Sequence, residues 1–233
     1  MVKEKEKNIE NIEVPSLEEM LKAGVHFGHK TSKWNSKMKS YIFTSRNNIH
    51  IIDLEQTQQR LKKALKFLQE IKENKGKIVF VGTKVAAKDI ICKTAKESNM
   101  HYVTERWIGG TLTNFQAISN RLKYFRDLEN KKKTGELDKY TKKEQHDFSV
   151  ELEKLEQRFG GIKEMVSLPS ALFVIDIYND ALAVKEARAK NIPVIGLCDT
   201  NADPNSVDYS IPANDDAISS LELILGSVSK ILN

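Results

Sequence analysis

Three largely apolar runs constrain the fold of this chain more than any other feature. They occupy residues 77–82 (KIVFVG), 171–177 (ALFVIDI) and 192–199 (IPVIGLCD). Strands that are apolar along their whole length are typical of parallel sheets covered by helices on both faces. Helical patterns, such as residues 55–74 and 180–190, alternate with these runs. The alternation predicts an α/β fold with a doubly wound, mostly parallel sheet.

The middle of the chain breaks this alternation. Two apolar stripes with heptad-like spacing lie on either side of a polar stretch, and a Thr141–Glu144 capping box opens the second. No strand pattern occurs from residue 115 to residue 165. We therefore predict an antiparallel α-helical coiled-coil hairpin that protrudes from the α/β domain. The stripes are Phe115, Ile118, Leu122 and Phe125, then Phe148, Leu152, Leu155 and Phe159.

These patterns divide the chain into three parts. The start, MVKEKEKNIENIE, alternates charges and has no apolar segment, which predicts a disordered tail over residues 1–14 and no secretory signal. The α/β globular domain comprises residues 15–113 and 163–233, and the hairpin insertion comprises residues 114–162. No run of ~18 apolar residues occurs, so we expect no membrane span. Two cysteines without metal-like spacing suit a reducing compartment.

Charge is distributed unevenly along the chain. The net charge of +5 is weak support for an acidic partner by itself. Residues 22–52, however, contain six basic residues and no acidic one, whereas residues 163–233 contain five basic and ten acidic residues. A solvated surface usually mixes both signs. The first segment therefore predicts contact with a polyanion, and the acidic C-terminal third should meet proteins or solvent.

The basic segment supplies most of the candidate contacts. Its cations can neutralise phosphates, and Trp34 and Tyr41 offer aromatic faces for stacking. Trp34 could equally pack inside the domain, and Lys84 and Arg106 are further possible phosphate contacts. The predicted RNA-binding residues are Lys30, Lys33, Trp34, Lys37, Lys39, Arg46, Lys84 and Arg106.

Several motifs leave other chemistry open. His26 and His29 could share a metal, but no cysteine or carboxylate lies nearby in the sequence. Five aspartates follow the third apolar run, where an α/β enzyme could hold magnesium or an acid–base pair. The alternative is turn and cap chemistry, with Asn214 as the N-cap of a last helix over residues 213–232. The five are Asp199, Asp203, Asp208, Asp215 and Asp216.

Two glycine-containing segments are also ambiguous. Gly82-Thr83-Lys84 lies between a strand and a helix, where phosphates bind in nucleotide folds, but it lacks the P-loop pattern. Gly82 then serves a tight turn. Gly109 and Gly110 either form an anion-binding nest or act as a hinge before the hairpin.

Five segments together resemble one known family, the bacterial-type small-subunit ribosomal protein two. The resemblance runs from about residue 16 to the end, in the same order. It implies a flavodoxin-like domain with a coiled-coil hairpin that binds small-subunit ribosomal RNA, joins head and body, and helps hold ribosomal protein one. The segments are 23–43 (AGVHFGHKTSKWNSKMKSYIF), 80–84 (FVGTK), 106–115 (RWIGGTLTNF), 192–204 (IPVIGLCDTNADP) and 211–218 (IPANDDAI).

The resemblance and the residues together predict a structural ribosomal protein of the bacterial cytoplasm, not an enzyme. We expect no catalytic residue, metal or cofactor, and no DNA or membrane partner. The expected partners are small-subunit ribosomal RNA and neighbouring small-subunit proteins, including ribosomal protein one. The alternatives are a nucleotide- or sugar-phosphate-binding α/β enzyme on the same fold and a free-standing helical-hairpin adaptor.

Overall fold

The structure is a computed structural model that describes residues 12–233. The first eleven residues of the predicted tail lie outside this range. Ile12 is buried and belongs to the core, with Val14 packed beside it. No helix within the described range is long and apolar enough to cross a membrane.

Helices and strands alternate through the described chain, as the apolar runs predict. In chain order the elements are α1 (Leu17–Lys22), β1 (Phe27–Lys30), β2 (Ile42–Arg46), β3 (Ile49–Ile52), α2 (Leu54–Glu73), β4 (Ile78–Val81), α3 (Val85–Glu97), β5 (His101–Val103), α4 (Phe115–Lys133), α5 (Lys142–Phe159), β6 (Ala171–Val174), α6 (Ala181–Ala189), β7 (Val194–Cys198), β8 (Tyr209–Pro212) and α7 (Ile218–Leu232).

Residues 12–233 contain two sheets. The larger has five strands in the order β5-β4-β6-β7-β8, and each neighbouring pair is parallel. This order, 2-1-3-4-5 along the chain, is a common doubly wound arrangement, and it confirms the predicted fold class. Its order reverses between β4 and β6, where a crevice opens at the carboxyl ends of the strands. The smaller sheet is antiparallel, with the order β1-β3-β2.

Alternate residues of the parallel strands enter two separate cores. In β4, Ile78 and Phe80 pack with helices α2, α3 and α7, whereas Val79 and Val81 pack with α4, α5 and α6. All four side chains are fully buried or nearly so. Burial on both faces explains why these strands read as continuous apolar runs rather than alternating ones.

The two middle helices, α4 and α5, lie side by side and turn their predicted apolar stripes toward the second of these cores. Phe125 and Leu155 are almost completely buried there. An ion pair between Arg121 and Glu151, at 3.2 Å, links the outer surfaces of the two helices. The predicted capping box at Thr141–Glu144 is present, so α5 begins where the sequence indicates.

Two local features differ from what the sequence pattern indicates. Residues 25–41 have neither helical nor strict strand periodicity, yet they contain β1 and a short 3-10 helix at Ser36–Tyr41, because their partners come from β3 and from distant loops. The last helix begins at Ile218 rather than at residue 213. Asn214 instead accepts hydrogen bonds from the backbone N–H groups of Asp216 and Ala217, which forms a turn before the helix.

Candidate functional site

The segment from β1 to β3, residues 27–52, carries most of the predicted contacts, and we call it the basic arm. It is fixed to the loop after β7 through Thr200. The hydroxyl of Thr200 accepts a hydrogen bond from the backbone N–H of His29 at 2.9 Å, and its carbonyl accepts one from Asn35 at 2.8 Å. A side chain at Gly28 would come within 2.6 Å of the Thr200 methyl group. Glycine therefore lets β1 lie directly on this loop.

Four cations of the basic arm remain available to an external partner. Lys30, Lys33, Lys39 and Arg46 are exposed, and none of them forms a salt bridge within residues 12–233. Lys30 and Arg46 lie on the small sheet, and Lys33 and Lys39 lie between β1 and β2. Because no carboxylate of the described residues pairs with these four cations, the arrangement suits a polyanion.

Lys37 differs from these four cations. Its ammonium donates to Asp203 at 2.6 Å, and this hydrogen bond lowers the pKa of the Asp203 carboxyl. The two residues lie 166 positions apart, so the sequence could not reveal the pair. The acidic C-terminal third therefore contacts the basic arm, because Asp203 compensates the charge of Lys37.

The aromatic residues of the basic arm separate into exposed and buried ones. Trp34 is 40% exposed and lies with its ring centroid 5.2 Å from that of His50, so one of its faces is accessible. Tyr41 is buried under the guanidinium of Arg60, which lies 4.8 Å from its ring, and it offers no face for stacking. Phe43 on β2 is 77% exposed and has no sequence signal that distinguishes it from a core residue.

Lys84 lies in the crevice of the larger sheet and is surrounded by carboxylates. Its ammonium is 2.6 Å from Asp215, 2.7 Å from Asp216 and 3.0 Å from Asp176. Burial alone lowers the pKa of Lys84, but the charges and hydrogen bonds of these aspartates outweigh burial and raise it. Its charge is therefore compensated within the protein, which weakens the prediction that Lys84 contacts a phosphate.

The start of α3 is likewise filled by the protein itself. Asp180 accepts hydrogen bonds from the backbone N–H of Thr83 at 3.2 Å and from the Thr83 hydroxyl at 3.0 Å. A phosphate in a nucleotide fold would use these donors. Gly82 does not have a positive φ; a side chain there would instead collide with the end of Ile91 and press on Ile175, so close packing accounts for this glycine.

Histidine and aspartate side chains meet beside Lys84. Ligand atoms of His29, Asp199, Asp215 and Asp216 all lie within 4.8 Å of one another, so these residues could hold a cation. Burial, together with the charges of Asp199 and Asp176, raises the pKa of Asp215 to about 7, although Lys84 opposes the rise. His26 is not part of this group; its ring lies 4.0 Å from that of Phe27, and burial lowers its pKa.

This group changes the residues of the metal hypothesis, which paired His26 with His29. His29, and not His26, lies close to carboxylates, because the fold brings the loops after β7 and β8 next to β1. The spacing of the two histidines carries no such information. The sequence indicates a cluster of aspartates after the third apolar run, but it does not indicate that His29 lies beside them.

Arg106 is exposed on the segment before α4. The next residue, Trp107, is buried, and its indole N–H donates to the carboxylate of Glu186 at 3.3 Å. Arg106 therefore lies at the surface next to a buried tryptophan that is hydrogen-bonded to Glu186. Arg106 belongs to the segment between β5 and α4 and is therefore not part of the basic arm.

The fold and the site together define a doubly wound α/β protein with a segment of exposed, unpaired cations. A family model described as "Ribosomal protein S2" matches residues 20–233. A protein of Marinobacter nauticus named "Small ribosomal subunit protein uS2" is 50% identical over 92% of this chain and 86% of its own length. One of the same name from Hahella chejuensis is 51% identical over 92% of this chain and 85% of its own length.

The chain belongs to the ribosomal protein S2 family. The family resemblance predicted from the five sequence segments is therefore confirmed. Members of this family are structural ribosomal proteins and not enzymes, in agreement with the prediction that the chain carries no catalytic activity.

Proposed function

We propose that this chain is a structural component of the small ribosomal subunit and binds its ribosomal RNA through the basic arm. The contacts would be phosphates at Lys30, Lys33, Lys39 and Arg46 and an unpaired base or sugar at Trp34. The observation that supports this most is the row of exposed, unpaired cations on a segment without acidic residues, fixed by Thr200 to the α/β domain.

A second contact is part of the proposal. We infer that residues 114–162 form a coiled-coil insertion that protrudes from the domain formed by residues 15–113 and 163–233. Lysines cluster where α4 ends and α5 begins, at residues 131–133 and 142–143, and all of them are exposed. A protein with two basic surfaces on separate elements could bridge two RNA regions, as the head and body of the subunit require. Arg106, at the base of the insertion, would add a phosphate contact.

Protein neighbours would use an acidic region that borders Lys33 and Trp34 of the basic arm. The carboxylates around Lys84 are one acidic region, and Asp216 is 60% exposed there. We propose that neighbouring small-subunit proteins, including ribosomal protein one, meet this acidic side, because basic proteins predominate around ribosomal RNA. The proposed location is the ribosome of the bacterial cytoplasm.

An enzyme on the same fold has little support from the geometry. The donors that would hold a phosphate at the start of α3 already bind Asp180, and Lys84 is bound by three aspartates. A nucleotide or sugar phosphate would have to displace these ion pairs.

The test is binding of the purified protein to small subunits reconstituted without it. Bound protein is measured by co-sedimentation over a series of salt concentrations, and we expect binding to fall steadily as salt rises. A Lys33→Glu, Lys39→Glu, Arg46→Glu variant should bind at least about tenfold more weakly at the same salt, because it reverses three phosphate contacts.

The matched control reverses three exposed lysines on helices away from the basic arm, at Lys62, Lys93 and Lys190. It changes net charge by the same amount and should bind much more strongly than the arm variant. Equal loss in both variants would show only non-specific attraction. Unchanged binding in a folded arm variant would contradict the proposed interface.

A further inference from the structure

The carboxylate of Glu186 on α6 is buried, at 5% exposure, and is surrounded by hydrogen-bond donors. Its Oε1 accepts from the backbone N–H of Gly110 at 2.7 Å and from the indole of Trp107 at 3.3 Å. Its Oε2 accepts from the backbone N–H groups of Leu112 at 3.0 Å and Thr113 at 3.2 Å, and from the Thr113 hydroxyl. Five donors from one segment thus converge on one side chain.

The segment that supplies these donors, residues 104–114, has no regular secondary structure and leads directly into α4. Asn114, at the N-cap of α4, makes no side-chain cap hydrogen bond. Gly110 has a φ of +93°, a conformation that suits glycine and turns its N–H toward Glu186. The path of the chain into α4 is therefore set by the carboxylate of another helix rather than by a local cap.

Other polar contacts of α4 are made farther along the helix. Arg126 donates to the backbone carbonyl of Lys163 at 2.9 Å, and Lys163 pairs with Glu129 at 2.6 Å. Both contacts join the second half of α4 to the first residue of the segment that returns to the α/β domain, so they do not fix the start of α4. Glu186, in contrast, joins the chain before α4 to α6, which packs on the parallel sheet.

We propose that Glu186 is a positioning residue that sets the direction of the α4–α5 pair relative to the parallel sheet. A buried carboxylate with five donors is held in one orientation, since moving it would leave both its charge and the donors unpaired. This contact holds the segment before α4 in one conformation, although Gly109 and Gly110 indicated a hinge there. Arg106, adjacent to Trp107, is fixed by the same arrangement. The importance of this geometry for RNA rests on the proposed function; the positioning itself does not.

The direct test measures the distance between spin labels on the helix pair and on the domain. Labels at Lys139→Cys, between α4 and α5, and at Lys62→Cys on α2 report their relative direction, and both sites are exposed. The background carries Cys92→Ser, and Cys198 stays unlabelled because it is fully buried. We expect a narrow distance distribution that broadens at least about twofold in Glu186→Ala. Lys185→Ala, the exposed neighbour on the same helix, should leave it narrow.

An unchanged distribution in folded Glu186→Ala would overturn the proposal. If that variant does not fold, hydrogen exchange in the unsubstituted protein decides instead. The amides of Gly110, Leu112 and Thr113 should exchange at least about tenfold more slowly than unprotected amides at neutral pH, and rapid exchange would contradict the proposal. Neither readout involves RNA, so its failure is distinct from failure of the proposed function. RNA binding by Glu186→Ala, measured well below its unfolding temperature, then shows whether the fixed direction matters for assembly.

Discussion

The ammonium of Lys84 lies 2.6 Å from a carboxylate oxygen of Asp215, although the two residues are 131 positions apart in the chain. Asp215 is 1% exposed, and the side chain of Lys84 is 16% exposed. The pair connects the loop after β4 with the loop after β8, so it spans the carboxyl edge of the sheet. Neither residue could be buried there alone at acceptable cost.

Removing Lys84 should therefore lower the free energy of unfolding by more than it lowers the free energy of RNA binding. Lys84→Ala leaves Asp176 and Asp215 buried without a cation, and we expect a loss of about 3–5 kcal/mol in unfolding free energy. Urea denaturation measures this loss. Lys93→Ala, which removes an exposed lysine from α3, the helix that follows Lys84, should change stability by no more than about 0.5 kcal/mol. Similar small losses in both variants would show that the buried pair contributes little.

The lysines of the basic arm should differ in their contribution to RNA binding. Lys39→Ala removes an unpaired cation and should lower the slope of log affinity against log salt by roughly 0.7–0.9. Lys37→Ala should lower it less, because Asp203 already compensates this lysine. The measurement is a salt titration of binding to small-subunit RNA. Equal slopes for the two variants would show that the Lys37–Asp203 pair opens on binding.

Gly28→Ala should loosen the basic arm. The added methyl group would lie 2.6 Å from the Thr200 methyl and 2.9 Å from its hydroxyl. Because Thr200 is fully buried and cannot move aside, we expect a loss of about 1–3 kcal/mol. Thr200→Ser removes the nearer methyl and keeps the hydroxyl that accepts from His29, so adding it should recover part of the loss. Strict additivity of the two substitutions in a double-mutant cycle would rule out this steric contact.

Glu186 should make stability depend on pH. Burial alone would raise its pKa, but the hydrogen bonds from Leu112, Gly110, Thr113 and Trp107 outweigh burial and lower it. A carboxyl whose pKa is lowered by folding stabilises the protein fully above its unfolded value, near 4.5, and this contribution disappears as pH falls through the folded value.

The comparison variant is Glu186→Gln, which does not titrate and turns an amide N–H toward donors of the segment before α4. We expect it to be about 2–4 kcal/mol less stable at pH 7. This difference should shrink as the pH is lowered from 5 toward 3 in urea-unfolding experiments. A difference that is constant over this range would show that protonation of Glu186 does not contribute.

Periodic patterns account for the parts of the fold that the sequence predicts. Continuous apolar runs identify β4, β6 and β7. The predicted helix over residues 55–74 agrees with α2 to within one residue, and the apolar stripes and the capping box at Thr141 locate α4 and α5, although α4 continues to Lys133, beyond its predicted stripe. These elements are predictable because the pattern of burial along one element follows from its own geometry. The absence of acidic residues from residues 22–52 likewise located the basic arm.

Contacts between distant segments account for what the sequence could not predict. β1 pairs with β3 across a bulge, and the start of α7 is displaced by the turn at Asn214. Six of the eight predicted RNA contacts lie on the basic arm, and all six are exposed. Lys84, in contrast, is enclosed by aspartates. Charge in the sequence therefore indicated where cations occur but not which of them are free.

The sequence by itself determined the alternation of strands and helices, the family, and the segment that has basic but no acidic residues, because each depends on residues close together in the chain. Tertiary structure alone decided that Lys37 and Lys84 are compensated, that Tyr41 is covered while Phe43 is exposed, and that Glu186 holds the segment before α4. The physical reason is that desolvation and charge compensation depend on which loops meet at the edge of a sheet, and that is fixed only when the strands take their order.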